Sequence, residues 1–430
     1  MGDAGKNKIL IVGGGGREHA IAWKLAQSPK VGEIVCAPGN AGIAGFCRCE
    51  PVSAEDIPGL AALAERERPG LTVIGPETPL ALGLTDELEA LGLRVFGPDK
   101  NCAQLEASKS FTKAFLARHG IPTAAYREYT DADALRKDIG VFGFPMVLKA
   151  DGLAAGKGVI IAEGRAAAEA AVRELMETRA FGAAGDKVVV EELLRGTEAS
   201  MLCFADGSAI VPMESAQDYK RVFDGDEGPN TGGMGAYSPS LLFDGETERR
   251  VAEEILLPTL EGFKADGLDF RGVLFVGLML TADGPKVIEF NNRFGDPETQ
   301  SVLPRLKTDL YDIMEAVCGD RLSQLPIEWD ETLKTATVVM AAGGYPGAYQ
   351  KGDAIHGLAG VPDGVFVFHA GTAFSEGGEI VTNGGRVLGV LGTGKTHEAA
   401  RENAYAGVSK ISFGGAGYRK DIGVVYNTRQ

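Results

Sequence analysis

Apolar positions along the chain gather into short runs set off by glycine-rich turns, with amphipathic stretches of helical period between them. Lys8 to Val12 reads as a buried strand that runs into Gly13-Gly-Gly-Gly-Arg-Glu-His19, after which Ala20, Ile21, Ala22 and Leu25 continue at helical spacing. Strand patterns at Glu33 to Ala37, Leu71 to Gly75 and Leu93 to Gly97 end in Pro38-Gly-Asn-Ala-Gly42, Gly75-Pro-Glu77 and Gly97-Pro98. Loops at the carboxyl ends of parallel strands are where open α/β sheets bind ligands, so these turns are expected to share a pocket with the first. Gln104 to His119 predicts one amphipathic helix, stopped by Gly120-Ile-Pro122, with a domain boundary near residue 105. From Tyr126 to Leu194 the order strand, helix, hairpin, helix, strand predicts a small α+β lid, its hairpin built from Phe144 to Leu148 and Val159 to Ala162. Gln217 to Pro239 is polar and glycine-dense and reads as one long functional loop. Beyond it, Val273 to Leu280 and Lys286 to Phe290 predict a second hairpin, and Asp309 to Val317 a helix. Composition changes at Pro326. Strands at Lys334 to Ala342, Val365 to Ala370 and Arg386 to Leu391, with a helix at Thr396 to Lys410, predict a small closing α+β domain. The expected division is 1–105, 106–325 with the lid at about 125–195, and 326–430.

Composition narrows the function. The 43 basic and 59 acidic side chains leave a net charge of -16, which argues against nucleic acid or an anionic membrane as a partner. An anionic ligand would therefore have to be met by a locally basic pocket. Of six cysteines, the only close pair is Cys47-x-Cys49, too tight for the usual zinc spacing, and a reduced, cytoplasmic protein is expected. The longest apolar run, near Gly272 to Leu280, is too short for a membrane span. The histidines at 19, 119, 356, 369 and 397 do not cluster, and no serine-centred elbow is present.

The basic glycine-rich turn from Lys149 to Gly158 is the strongest chemical feature. Glycines let backbone N–H groups approach an anion, and Lys149 and Lys157 add charge, so the natural guest is a polyphosphate. It is not a Walker loop: Gly152 and Gly156 are separated by three residues rather than four, Lys157 is followed by glycine, and a strand follows. The plainer alternative is a hairpin with solvated lysines. Around the first glycine turn, Arg17 could add a bidentate phosphate contact, yet the dinucleotide fingerprint is incomplete, with Glu18 at the third glycine position and no acid at Cys36 to Pro38. The strand Val188 to Leu194 could read an adenine through its edge, and Glu198 could hold ribose hydroxyls. Strand alternation puts Glu289, Asn291 and Arg293 on one face and Ile288 and Phe290 on the other. A carboxylate beside an amide oxygen suits a hard cation such as Mg²⁺.

Taken together, Gly15-Gly-Arg-Glu-His19, Pro38-Gly-Asn-Ala-Gly42, Lys149-Ala-Asp-Gly-Leu-Ala-Ala-Gly-Lys-Gly158, Gly228-Pro-Asn-Thr-Gly-Gly-Met-Gly-Ala-Tyr-Ser-Pro239 and Glu289-Phe-Asn-Asn-Arg-Phe-Gly-Asp-Pro-Glu298 closely resemble the phosphoribosylamine–glycine ligase (glycinamide ribonucleotide synthetase) family of the ATP-grasp superfamily. The resemblance runs from Lys8 to Asp421. It implies an ATP-grasp fold preceded by a Rossmann-like parallel-sheet domain and followed by a small α+β domain. The implied reaction is the second step of purine biosynthesis: ATP, glycine and 5-phosphoribosylamine give ADP, phosphate and glycinamide ribonucleotide through glycyl phosphate. It also implies roles. Lys109, Lys149, Gly156, Lys157 and Gly158 would meet ATP phosphates, Glu191 and Leu193 the adenine, and Glu198 the ribose. Glu289 and Asn291 would hold Mg²⁺, with Mn²⁺ as a substitute. Arg293, Lys220 and Asp218 would act in catalysis. Glycine and the ribosylamine would lie among Gly15, Arg17, Asn40, Glu77, Asp218, Asn230, Gly233, Arg293, Asp296, Pro297 and Glu298. A monomer is expected. The competing readings are another ATP-grasp carboxylate–amine ligase, a dinucleotide-dependent oxidoreductase and a non-catalytic nucleotide sensor.

Overall fold

The computed structural model describes residues 6–153, 158–178 and 180–424. Its first part is a five-stranded parallel sheet in the order Arg48–Cys49, Val31–Pro38, Asn7–Gly13, Leu71–Ile74, Val95–Phe96. Alternation along the central strand sends Ile9 and Ile11 into one hydrophobic cluster and Leu10 and Val12 into another, so both faces are buried, as a parallel sheet requires. The first cluster also contains Leu310, Ile313 and Val317 of the helix Leu310–Cys318, which docks the middle of the chain on this sheet. The glycine turn enters the helix Gly16–Leu25, and the Gly15 amide donates to Glu18 Oε2 at 2.6 Å.

The helix expected over Gln104 to His119 is two helices, Lys100–Ala107 and Lys109–Arg118. Ser108 breaks it because its hydroxyl caps the second helix, accepting from the Phe111 amide at 3.1 Å, while its backbone is extended. The same hydroxyl donates to Asp151, which also accepts from the Ser110 amide and hydroxyl at 3.0 and 2.7 Å. Asp151 lies in the glycine-rich turn, so the cap is also the joint between helix and lid. The lid itself forms as expected: an antiparallel sheet in the order Tyr126–Tyr129, Val188–Glu192, Met146–Ala150, Val159–Ala162, backed by the helices Ala132–Lys137 and Arg165–Val172.

A second antiparallel sheet, Ile210–Pro212, Thr197–Ala205, Gly272–Thr281, Gly284–Asn291, faces the lid across a cleft. Its last hairpin corrects the alternation expected for Ile288. Gly277 pairs with Glu289 but Leu278 pairs with Val287, leaving Ile288 as the extra residue of a bulge. Val287 and Phe290, three apart, therefore both enter the core, and Ile288 lines the cleft beside Glu289.

Gln217 to Pro239 is not one loop. It holds the strands Gln217–Asp218, Arg221–Phe223, Glu227–Asn230 and Gly235–Ser238. The middle two form a separate ribbon, and the outer two join the last sheet, in the order Gln217–Asp218, Gly235–Ser238, Lys334–Ala341, Arg386–Gly394, Val365–His369. Tyr237, 2% exposed, is buried in the core of that sheet, and the helix His397–Val408 packs over it. Among the described residues no helix is long and apolar enough to cross a membrane.

Candidate active site

All three parts of the chain contribute to a cleft of about 390 Å³. Lys149 reaches it from the lid strand Met146–Ala150, and Lys109 and Lys113 from the capped helix Lys109–Arg118. Glu191, 3% exposed on the neighbouring lid strand, lies 2.9 Å from Lys149 Nζ and 3.2 Å from Lys113 Nζ. Burial lowers the Lys113 ammonium to about 8 although Glu191 opposes it, and burial lowers Lys109 as well. Lys109 donates to the Gly152 carbonyl at 3.0 Å, which ties the helix to the glycine-rich turn.

The opposite wall carries Glu289 and Asn291, whose side chains approach to 3.4 Å. Burial works against ionisation of Glu289, but the facing ammonium groups of Lys220, Lys149 and Lys109 outweigh it and hold the carboxyl below its ordinary value. Lys220 is 3.3 Å from Asp218, which also accepts from the Ser200 hydroxyl, and Asp218 raises the Lys220 ammonium. Glu298 is pushed up to about 7 by burial and the Asp218 charge, and burial raises Glu198 in spite of Lys220. One ionised carboxylate beside one carboxamide is a hard, incomplete donor set. It fits a divalent cation that takes its other ligands from phosphate and water. Among the described residues no group of three or more His, Cys, Asp or Glu could hold a metal by itself.

Arg293 closes the cleft toward the parallel sheet. Its guanidinium lies 2.9 Å from Glu106 and donates to Glu77 at 3.1 Å. Burial pushes Glu77 up, yet Arg293 and Arg17 overcome this and hold it at about 2, whereas in Glu106 burial prevails and the carboxyl rises to about 7. Arg17 donates to the Phe294 carbonyl at 3.0 Å. Arg386, from the last sheet, lies 3.4 Å from the Asp296 carboxylate and donates to the Asp296 and Gly232 carbonyls at 2.6 and 2.8 Å.

The cleft thus gathers Arg17, Glu77, Lys109, Lys149, Gly158, Glu191, Glu198, Asp218, Lys220, Asn230, Glu289, Asn291, Arg293, Asp296 and Glu298. Gly15, Asn40, Leu193, Gly233 and Pro297 do not line it, and Gly156 and Lys157 lie outside the described residues. Asn40 spends its amide on the loops, donating to Gly14 and His369 carbonyls and accepting from the Gly42 and Ile43 amides. Gly233 packs on Pro297 so closely that a Cβ would stand 2.4 Å from the ring. Sequence reasoning missed Glu106, Lys113 and Arg386. Lys113 stood one helical turn after Lys109 and could have been found; Glu106 and Arg386 carry no local pattern.

A lysine-bearing hairpin lid over an antiparallel sheet that presents an acid and an amide to the same cleft defines the ATP-grasp class of enzymes. Family models cover nearly all the chain: the N domain of phosphoribosylglycinamide synthetase at residues 7–106, its ATP-grasp (A) domain at 107–299 and its C domain at 335–425. The chain belongs to the phosphoribosylglycinamide synthetase family. It is 52% identical over 419 residues to the phosphoribosylamine–glycine ligase of Xanthomonas axonopodis pv. citri, covering 97% of each chain. It is equally similar, at 52% over 421 residues, to the trifunctional purine biosynthetic protein adenosine-3 of Gallus gallus, of which it spans 42%. The crystal structure of phosphoribosylamine–glycine ligase from Thermotoga maritima superposes with a TM-score of 0.85 at 35% identity, over 96% of this chain and 99% of that one. Biotin carboxylase from Campylobacter jejuni shares the fold alone, with a TM-score of 0.74 at 16% identity.

The Glu106 carboxyl keeps its proton in the native chain up to about 7 but would lose it near 4.5 when unfolded. Its contribution to stability is full below 4.5 and is lost as pH rises through 7. Chemical denaturation at pH values on either side of that window should show Glu106→Gln gaining on the wild type as pH rises. A difference that is constant with pH would refute this.

Proposed function

We propose that this chain joins glycine to 5-phosphoribosylamine at the expense of ATP, giving glycinamide ribonucleotide, ADP and phosphate. The observation that carries the proposal is one cleft with Lys109 and Lys149 on one wall and Glu289 and Asn291 on the other, in a chain of this family. A glycine carboxylate does not accept an amine directly. We therefore route the reaction through glycyl phosphate: a carboxylate oxygen attacks the γ-phosphorus as ADP leaves. The ribosylamine nitrogen then attacks the acyl carbon, phosphate leaves, and the nitrogen sheds a proton.

The protein's part is to bind, orient and neutralise. Lys109 and Lys149 face the phosphates. The strand Val188–Glu192 is paired on both sides and so has no free edge for the adenine, contrary to the sequence expectation. The backbone just past its end, at Leu193, is left to meet the adenine, and Glu198 meets the ribose. A divalent cation, Mg²⁺ or Mn²⁺ in its place, would neutralise phosphoryl charge when held by Glu289 and Asn291. The Asn291 oxygen now accepts a long 3.5 Å bond from Arg293, weak enough to be given up. Arg293, Lys220 and Asp218 border the space left for the two small substrates, with Asn230, Asp296 and Arg17 at its rim. Glu298, poised near neutrality, suits the proton that the amine releases. One chain supplies every wall of the cleft, which supports a monomer, and the small polar substrates and the acidic chain suit the cytoplasm.

Purified protein should release ADP only when glycine and ribosylamine are both present. ADP release with neither, or a preference for another acid and amine, would overturn the assignment. Glu289→Ala should lower kcat by about 100-fold or more at saturating Mg²⁺, because it removes a preorganised charge-stabilising group. Near-normal turnover of that variant would refute the metal site.

A further inference from the structure

The ribbon that follows Asp218 and Lys220 has little to hold it from the front. Its strand Glu227–Asn230 is exposed along its whole length, and an isolated two-stranded ribbon is marginal in water. It is secured from behind by the segment from Arg419 to Val424. Tyr219 points away from the cleft that its neighbours Asp218 and Lys220 line, and is 6% exposed in the core of the last sheet. Its hydroxyl accepts from the Gly423 amide at 3.0 Å and donates to the Val424 carbonyl at 2.9 Å. The guanidinium of Arg419, 1% exposed, lies 4.9 Å from the centre of the Tyr219 ring. It donates to both oxygens of Asp421 at 2.8 and 2.7 Å, to the Arg221 carbonyl at 2.9 Å and to Asp226 at 3.3 Å. Two backbone bonds complete the strap: the Gly225 amide to Asp421 at 2.9 Å, and the Lys420 amide to Asp224 at 2.7 Å.

Neither Arg419 nor Tyr219 lines the cleft. We propose that both are positioning residues for the ligation, holding the ribbon so that Lys220 at its start and Asn230 at its end face the glycine and ribosylamine. The inference rests on the reaction assigned above. The nucleotide is gripped mainly by the lid and by Lys109 and is coupled to the ribbon only through the Lys220 charge near Glu289 and Glu198, so the larger effect falls on the other two substrates.

Tyr219→Phe keeps the ring and removes only the bridging hydroxyl, and Arg419→Gln is the stronger perturbation. Both are compared with the wild type at a temperature where circular dichroism shows all three folded. The expected result for Tyr219→Phe is a loss of roughly tenfold in kcat/KM for ribosylamine, with the KM for ATP within about twofold of the wild type. Amide hydrogen exchange should speed up in residues 220–230 and not in the lid. Unchanged kcat/KM with only a lowered melting temperature would overturn the proposal, as would equal losses for ATP and ribosylamine. If the wild type itself makes no glycine-dependent ADP, the reaction assignment fails, and the exchange rates in the ribbon decide the strap.

Discussion

Charge balance inside a partly buried cleft is the constraint on which the rest of this structure depends. An ammonium or carboxylate taken out of water is costly unless an opposite charge meets it, and removing one partner of such a pair costs on the order of 3 kcal/mol or more. Here the partners come from separate parts of the chain. Glu191 of the lid stands between Lys149 and Lys113, and Arg293, two residues past the strand Gly284–Asn291, is shared by Glu77 and Glu106. Arg386 of the last sheet meets Asp296. The parts of the chain are thereby fixed relative to one another by the same groups that line the site.

The balance is arranged so that a polyanion can enter. On the lid side Lys149 and Lys113 share a single close carboxylate, Glu191, while Lys109 is held by the Gly152 carbonyl, and Glu289 is kept ionised by the charges of Lys220, Lys149 and Lys109. A triphosphate with its cation would complete both walls, replacing lysine–carboxylate attraction across open space with direct contacts. Burial raises two further carboxyls lining the cleft, Glu106 and Glu298, to about 7, and the proposed ligation releases a proton that Glu298 could accept.

Much of this was legible in the sequence because the chemistry sits where local pattern is strong. The lid hairpin, the parallel strands with their glycine and proline turns, and the Glu289 to Arg293 strand end all announce themselves within about ten residues. What was not legible depended on distant partners. Ser108 interrupts an otherwise continuous helical pattern because Asp151 waits for its hydroxyl. Ile288 changes face because its partner strand holds Gly277 opposite Glu289 and pulls the register by one. The polar stretch from Gln217 looked like a loop because its strands are short, the middle two pair only with each other, and the outer two depend on the last sheet. Arg386 and Glu106 enter the cleft through topology alone.

The proposed ligation turns on phosphorylation of the glycine carboxylate in this cleft before the amine nitrogen attacks it. Glycine labelled with ¹⁸O in both carboxylate oxygens tests it most directly, by mass analysis of the phosphate released in a single turnover. One labelled oxygen is expected in each phosphate. Phosphate without label would contradict it.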